Sequence, residues 1–157
     1  MDLTASITDF FGGGDQAVLP HLSVDCAVFG FHGRELKVLL GRMRNADRWT
    51  LPGGYVLRDE SLDAAAARVL CERTGLERVF LQQFHAFGDT DRGEAMVQEV
   101  LAGMGVDVPS GHWITQRHVT IGYLALVDFA EVRPSPSRND SARSTGHPDG
   151  APGARPA

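Results

Sequence analysis

The sequence has few residues of the kinds that build cross-linked or metal-stabilised folds. Its 157 residues include only two cysteines, Cys26 in an apolar run and Cys71 in a helical one. Neither belongs to a pattern typical of a disulfide framework or a metal cluster, so we expect both to be reduced and to pack as small hydrophobic side chains. A chain of this length can bury enough surface to fold as one domain without such links.

Long apolar runs and a basic body are also lacking. No apolar stretch reaches membrane-spanning length, and no basic segment followed by an apolar one opens the chain. We therefore expect a soluble, cytoplasmic protein with no membrane partner. The net charge is -5; residues 133–157 carry +2, so residues 1–132 carry -7. An acidic body argues against non-specific binding to nucleic acid, which depends on Lys and Arg.

Composition divides the chain into three parts. Residues 1–22 are predicted to be a loose leader, and residues 23–132 to be the folded domain. Residues 133–157 hold five of the eight prolines and no Leu, Ile, Val, Phe, Trp or Tyr. Such a segment cannot bury enough apolar surface to order itself, so the tail is predicted to be disordered.

Periodicity predicts alternating strands and helices. The first two strands form a hairpin around "HGRE", and the last strand is apolar on both faces, which predicts a central place in the sheet. Ser61 is a good N-cap and Gly75 stands where the first helix should end. The predicted strands are 23–31, 36–43, 78–88 and 118–132, with a loop and short strand at 50–60, and the predicted helices are 61–74 and 94–103.

The segment "LPGGYVLRDESLDAAAARVLCERTGL" carries the most specific signal. Its spacing resembles the Nudix box, G-x5-E-x7-R-E-U-x-E-E-x-G-U, in which U is a bulky aliphatic residue. The resemblance implies an α/β/α sandwich with a mixed sheet. It also implies cleavage of diphosphates linked to a nucleoside, with Mg²⁺ or Mn²⁺. Seven of the nine defined positions in the predicted box, residues 54–76, agree: Gly54, Glu60, Arg68, Leu70, Glu72, Gly75 and Leu76.

Two of the helix carboxylates that the family uses to hold metal are absent. Val69 replaces the first and lies within the apolar arc of the helix, and Arg73 replaces the last. An arginine offers a fixed charge and a planar fork for phosphate oxygens, but it cannot activate a water molecule as a metal or a positioned base does. Alternatively, Arg73 pairs with neighbouring acids on a solvated surface.

The resemblance also implies roles for the matching residues. If the protein is active, Glu72 and Glu60 are the catalytic carboxylates, and they hold the metal together with the Gly54 carbonyl. In many family members a later loop supplies the general base, for which Glu94 and Glu99 are the candidates; the alternative is that both are solvated residues of the predicted helix. Arg68, Leu70 and Gly75 are expected to be structural.

Further residues are candidates for binding a ligand. Arginines surround the end of the second strand, just before Trp49, which could stack on a base or ribose; the alternative is a solvated basic rim with a core tryptophan. Glycines lead into the box and allow close approach of a ligand to the backbone. The predicted ligand-binding residues are Arg42, Arg44, Trp49, Gly53, Gly54, Arg73 and Asp89, with Arg48 in the same basic cluster.

Residues 23–132 also resemble the sensor domains of Nudix-related transcriptional regulators. "SVDCAVFGFHGRELKVLLGRM" and "RVLCERTGLERVFLQQFHAFGD" carry this likeness, and Phe84, Phe87, Gly88 and Asp89 match a "Q-x-x-x-F-G-D" stretch. The resemblance implies an ADP-ribose-like ligand that is sensed rather than hydrolysed. We expect the tail to take the place of the closing helix and the DNA-binding winged helix of that group. We therefore expect no direct contact with nucleic acid, and an exposed sheet face that a homodimer or partner chain covers.

Three functions remain open at this point. The first is a domain that binds a nucleoside-diphosphate-linked ligand with weak or no hydrolysis. The second is an active, metal-dependent Nudix pyrophosphohydrolase with an atypical box. The third is a truncated, inert remnant without a ligand.

Overall fold

The computed structural model describes residues 17–42, 48–90, 94–103, 108–109 and 111–129. The predicted ligand residue Arg44, the tail 133–157 and most of the leader lie outside these residues. The strands are β1 (Val18–His32), β2 (Glu35–Val38), β3 (Gly41–Arg42), β4 (Trp49–Thr50), β5 (Gly53–Leu57), β6 (Gln82–Phe87) and β7 (Val119–Asp128). The helices are α1 (Leu62–Thr74) and α2 (Glu94–Gly103), with a 3-10 helix at Trp113–Thr115.

The main sheet is mixed and has β1 and β7 at its centre. Its order is β2-β1-β7-β6, and β5 also pairs with β1. β1 and β7 run parallel over ten register positions, from Leu22 opposite Val119 to Phe31 opposite Asp128. β6 is antiparallel to β7. The predicted mixed sheet and the central place of the last strand are both confirmed.

The other edge of β1 is shared by two strands. β5 pairs with its first half, through Asp25 opposite Gly53, and β2 pairs with its last residues, through His32 opposite Glu35. Two further backbone hydrogen bonds extend this pairing along β1, just beyond the ends of β5 and β2. The Cys26 N–H donates to the Pro52 carbonyl, and the Leu39 N–H donates to the Val28 carbonyl. The predicted hairpin of β1 and β2 is confirmed, with its tight turn at "HGRE".

Helix α1 begins and ends where the sequence predicts. The Ser61 side chain accepts a hydrogen bond from Ala64 N–H, and Gly75 ends the helix with a φ of 75°. A left-handed backbone conformation at this position is easily adopted only by glycine. Helix α2, at Glu94–Gly103, also has its predicted bounds.

The core lies between α1 and one face of the sheet, called here the inner face. Val24, Cys26 and Val28 of β1 point to this face, and Val69 and Leu70 of α1 pack against it. Tyr123 of β7 is fully buried, and its hydroxyl donates a 2.6 Å hydrogen bond to Asp63 in the first turn of α1. Burial and this bond raise the pKa of Tyr123. The apolar contacts and the hydroxyl together fix the helix on the sheet.

The opposite, outer face of the sheet carries exposed apolar side chains. Leu126 is 68% exposed and Phe84 is 53% exposed. Phe31, Leu36 and Leu124 are also exposed. The strand register places Leu126 beside Phe29, and Leu36 beside Phe31, on this face. The exposed face that the sequence predicts is therefore present, while the homodimer or partner chain expected to cover it stays a prediction.

Two predicted strand starts were wrong. The first strand begins at Val18, so residues 18–22 of the predicted leader belong to β1. The register shifts between Val18 and Ser23, and His21 has a φ of 66°. The strand thus continues through an irregularity that includes Pro20, which cannot donate to a ladder. The strand predicted at 78–88 begins only at Gln82, after a left-handed turn at Arg78.

The strand predicted at 36–43 is two separate strands. β2 ends at Val38, and Gly41–Arg42 form β3, which pairs with β4 as a separate two-stranded sheet. Alternation along the sequence does not show a change of partner, because the side-chain period is the same in both sheets. β7 ends at Asp128, and residues 130–132 of its prediction lie outside the described part.

Candidate functional site

Gly54 of β5 lies directly against Val69 of α1. A Cβ atom at Gly54 would be 2.9 Å from Val69 Cγ2, and Val69 is 1% exposed. Gly53 and Gly54 form the start of β5 rather than a turn before the helix. Residue 69, where the Nudix box has its first helix carboxylate, therefore lies beside the glycine that opens the box. Its side chain here is a buried isopropyl group.

Glu60 and Arg68 form a paired, partly buried network behind this contact. Arg68 donates to Glu60 through Nε at 2.9 Å and Nη2 at 2.6 Å, and Nη2 also donates to the Tyr55 carbonyl. Glu60 Oε1 also accepts the Leu57 N–H at 2.8 Å. The hydrogen bonds from Arg68 are the main cause that lowers the pKa of Glu60. Both oxygens of Glu60 thus fix the strand-to-helix connection.

Glu72 and Arg73 lie on the exposed side of α1. Glu72 Oε2 accepts a 3.1 Å hydrogen bond from Arg68 Nη1. Arg73 is exposed in the last turn, where a positive charge interacts favourably with the helix dipole. The Arg68 guanidinium therefore contacts both carboxylates that the sequence suggests as catalytic.

Within the part of the chain that the structure describes, the side chains around Gly54 do not form a cage for Mg²⁺ or Mn²⁺. These cations need several oxygen ligands. Val69 offers no oxygen atom, Glu60 and Glu72 are bonded to Arg68, and Arg73 adds a positive charge. Among the described residues, no three His, Cys, Asp or Glu side chains are grouped to hold a metal ion. The predicted metal roles of Glu60, Glu72 and Gly54 stay predictions and would require both carboxylates to leave Arg68.

The small sheet of β3 and β4 brings two predicted ligand residues together. Arg42 lies opposite Trp49, and both side chains are exposed. Arg48, beside them in the sequence, forms a 2.7 Å ion pair with Glu99 of α2. Glu94 and Glu99 both lie in the helix predicted at 94–103, and Glu99 forms this ion pair at the surface. The side chain of Glu94 is outside the described part.

A cluster of rings lies at one end of the outer face. The Tyr55 hydroxyl is 3.2 Å from His118 Nε2, and the rings of Tyr55 and Trp113 are 5.1 Å apart. His21 lies 5.6 Å from His118. Burial raises the pKa of Tyr55 to about 12 and lowers that of His118. The sequence interpretation missed this cluster, since its members come from four separate segments.

A second pair of rings lies at the β6 side of the outer face. A Cβ atom at Gly122 would be 2.8 Å from the Phe84 ring and 3.0 Å from the Phe87 ring. Gly88 and Asp89 follow directly, with Asp89 exposed and the Gly88 carbonyl bonded to Arg117. The "F-G-D" stretch thus adjoins the centre of the sheet.

Between the two groups of rings lies a row of polar side chains. Ser23 and Thr120 share a 2.9 Å hydrogen bond between their hydroxyls, and Asp25 follows Ser23 on the same face. The carboxylate of Asp25 lies against Gly53. The sequence interpretation missed these residues too, although Ser23 and Asp25 alternate with the buried Val24 and Cys26 and so could have been placed on the outer face.

Comparison with known proteins agrees with this geometry. The model of the NUDIX domain family matches residues 19–144. The chain belongs to this family. The predicted Nudix-type α/β/α sandwich with a mixed sheet is therefore confirmed.

Relatives of this chain include regulators of transcription. The ADPR responsive transcriptional repressor NtrR of Acinetobacter baylyi is 32% identical over 115 residues, which are 70% of this chain and 38% of the repressor. This chain thus spans well under half the length of that relative.

Solved structures show the same likeness. The crystal structure of Shewanella oneidensis NrtR has a TM-score of 0.58 and 25% identity, over 78% of this chain and 50% of that one. The NUDIX domain of Shewanella oneidensis NrtR complexed with ADP ribose has a TM-score of 0.56 and 24% identity, over 92% and 80%. The resemblance to Nudix-related regulators is thereby confirmed.

No helix in the described residues has both the length and the apolar character of a membrane span.

Proposed function

We propose that this chain binds a nucleoside-diphosphate-linked ligand of the ADP-ribose type and hydrolyses it weakly or not at all. The observation that carries the proposal is the contact of Val69 with Gly54, which replaces a metal ligand by an apolar group. The two remaining carboxylates share Arg68, whose single positive charge offsets one of their two negative charges without a metal ion.

Two exposed arginines and an exposed indole ring supply positive charge and a stacking surface for such a ligand. Arg73 is exposed on α1, and Arg42 lies opposite Trp49 on the small sheet. Guanidinium groups bind phosphate oxygens through paired hydrogen bonds, and an exposed indole ring can stack on a base or ribose. The relatives' names support the choice of ligand, since one is ADPR responsive and another was crystallised with ADP ribose.

Isothermal titration calorimetry tests this function. We expect the purified chain to bind ADP-ribose equally well in EDTA and in Mg²⁺, with weaker binding by Arg73→Ala. The matched control is Arg58→Ala, another exposed arginine that follows β5 and lies outside the proposed site. Binding that requires Mg²⁺, or rapid release of AMP that Glu72→Gln abolishes, would instead indicate an active pyrophosphohydrolase.

A further inference from the structure

One end of the outer face of the sheet is covered, and the rest is open. At the covered end, Trp113 of the 3-10 helix lies on Tyr55 of β5, with ring centres 5.1 Å apart. Elsewhere on this face, five large apolar side chains are between 42% and 68% exposed. They come from all four strands of the β2-β1-β7-β6 path. These five, called here the open patch, are Phe31, Leu36, Phe84, Leu124 and Leu126.

The strand register joins these side chains into one surface. Phe31 of β1 lies opposite Leu36 of β2. Phe29, two residues earlier on the same face of β1, lies opposite Leu126 of β7. Leu124 points to this face as well, because side chains two residues apart on a strand share a face. Leu126 is the most exposed of the five and lies on a central strand.

The open patch is free of charge, whereas the domain as a whole is acidic. Among the described residues, the outward strand positions from Ala27 to Phe31 and those beside them on β2, β7 and β6 hold a single Asp, Glu, Lys or Arg, which is Asp128 at the end of β7. Residues 1–132 carry a net charge of -7. Two copies with this charge repel each other, so an uncharged face is where they can meet without contact between like charges.

The size of the open patch fits the contact between two copies. A fully exposed Phe or Leu offers roughly 200 Å², so the five exposed fractions leave roughly 500 Å² of apolar surface. A stable interface buries about 800 Å² on each partner, and about two thirds of that area is apolar in homodimers. The patch therefore supplies nearly all of the apolar area that a homodimer needs, and a polar rim accounts for the remainder.

We propose that two copies of this chain pack with their open patches face to face. The tail that follows β7, residues 133–157, has no Leu, Ile, Val, Phe, Trp or Tyr to cover the patch, whereas a second copy supplies the same five apolar side chains. A two-fold axis brings the same surface of each copy to the other, and sheets packed face to face lie about 10 Å apart. Leu126 is then buried in both copies. This inference does not depend on the proposed ligand.

Sedimentation equilibrium over micromolar concentrations tests the proposal. We expect the unaltered chain to have the mass of a dimer. Leu126→Asp should weaken the dimer at least about a hundredfold, because it places a charge from each copy inside an apolar interface. Ala67→Asp is the matched control. It adds the same charge at an exposed position of α1, which packs on the opposite face of the sheet, and should remain a dimer.

Three results would overturn the proposal. They are a monomer at every concentration, a dimer that Leu126→Asp leaves intact, and an assembly of more than two copies. Leu126 is exposed in the single chain, so its substitution should leave the fold unchanged, which circular dichroism measures. If Leu126→Asp does not fold, Leu36→Asp makes the same test from β2, where the side chain is also more than half exposed.

Discussion

Val69 and Gly54 are in direct contact, and each limits the size of the other. The glycine has space for no further atom, because Val69 Cγ2 lies 2.9 Å from the position of a Cβ. The pair joins α1 to β5 at the point where active relatives of the family would hold a cation. A buried apolar contact therefore lies at the centre of the box.

The first prediction concerns this contact. Gly54→Ala should destabilise the fold by about 1–3 kcal/mol, because it overpacks a closed site. Adding Val69→Ala should remove the clash, so the double variant should lose less stability than the two single losses together. Urea unfolding measures all three. Gly41→Ala is the control, since the nearest atom to its new Cβ would be 4.0 Å away. Strict additivity would contradict the assigned contact.

The second prediction restores the absent carboxylates. Val69→Glu with Arg73→Glu should lower stability in EDTA by about 3 kcal/mol or more, because an unpaired charge is then buried at residue 69. Mg²⁺ or Mn²⁺ should raise the melting temperature of this variant, because a bound cation stabilises the native state. The neutral variant Val69→Gln with Arg73→Gln should not respond. An equal metal response of the unaltered chain would show that a cation site already exists.

The third prediction concerns the pair of Glu60 and Arg68. Glu60→Gln should destabilise the fold by about 1–3 kcal/mol, since it leaves Arg68 with only the exposed Glu72 as a charged partner. Asp59→Asn, an exposed acid one residue earlier, should change stability by less than about 0.5 kcal/mol. Equal losses in the two variants, measured in urea, would show that the network contributes little.

The same pair predicts a dependence on acid pH. The pKa of Glu60 is lower in the folded chain than in the unfolded one. Its contribution to stability is therefore present above the unfolded pKa, about 4.3, and is lost as the pH falls through the folded pKa. Chemical unfolding between pH 6 and pH 3 should show a steeper loss for the unaltered chain than for Glu60→Gln.

His118 provides the fourth prediction. Burial beside Tyr55 and His21 lowers its pKa in the folded chain. Folding therefore favours the neutral imidazole. The contribution of His118 to the unfolding free energy is fully present above its unfolded pKa, about 6.5. It decreases as the pH falls from that value toward the folded pKa. His118→Gln should flatten the pH profile of the unfolding free energy in this range. His32→Gln, at the exposed hairpin turn, should leave the profile unchanged.

The box region could be predicted from the sequence because its signals are local. Ser61 and Gly75 mark both ends of α1 through backbone geometry that each residue favours by itself. The spacing of Gly54, Glu60 and Arg68 then identified the family. Such signals cannot show how one side chain is shared between partners. Arg68 bonds to Glu72 on its own helix and to Glu60 in the connection between β5 and α1.

The parts that sequence reasoning missed depend on distant neighbours. Asp25 gains its setting from Gly53 and Gly122, residues on two other strands. The rings of Tyr55 and His118 come from positions 63 residues apart. Likewise, the break after Val38 reflects a change of partner strand, which no local pattern records. Chain entropy and tertiary pairing, rather than residue preference, decide these features.

The parallel pairing of the first and last strands affects how the protein is made. Every contact between them closes a loop of nearly a hundred residues, an entropic cost that must be met before any of the pairing is gained. During synthesis the hairpin and the capped helix can form early, but their shared core stays open to water until β7 has left the ribosome. Exposure to chaperones and proteases should therefore last for most of the time that translation takes.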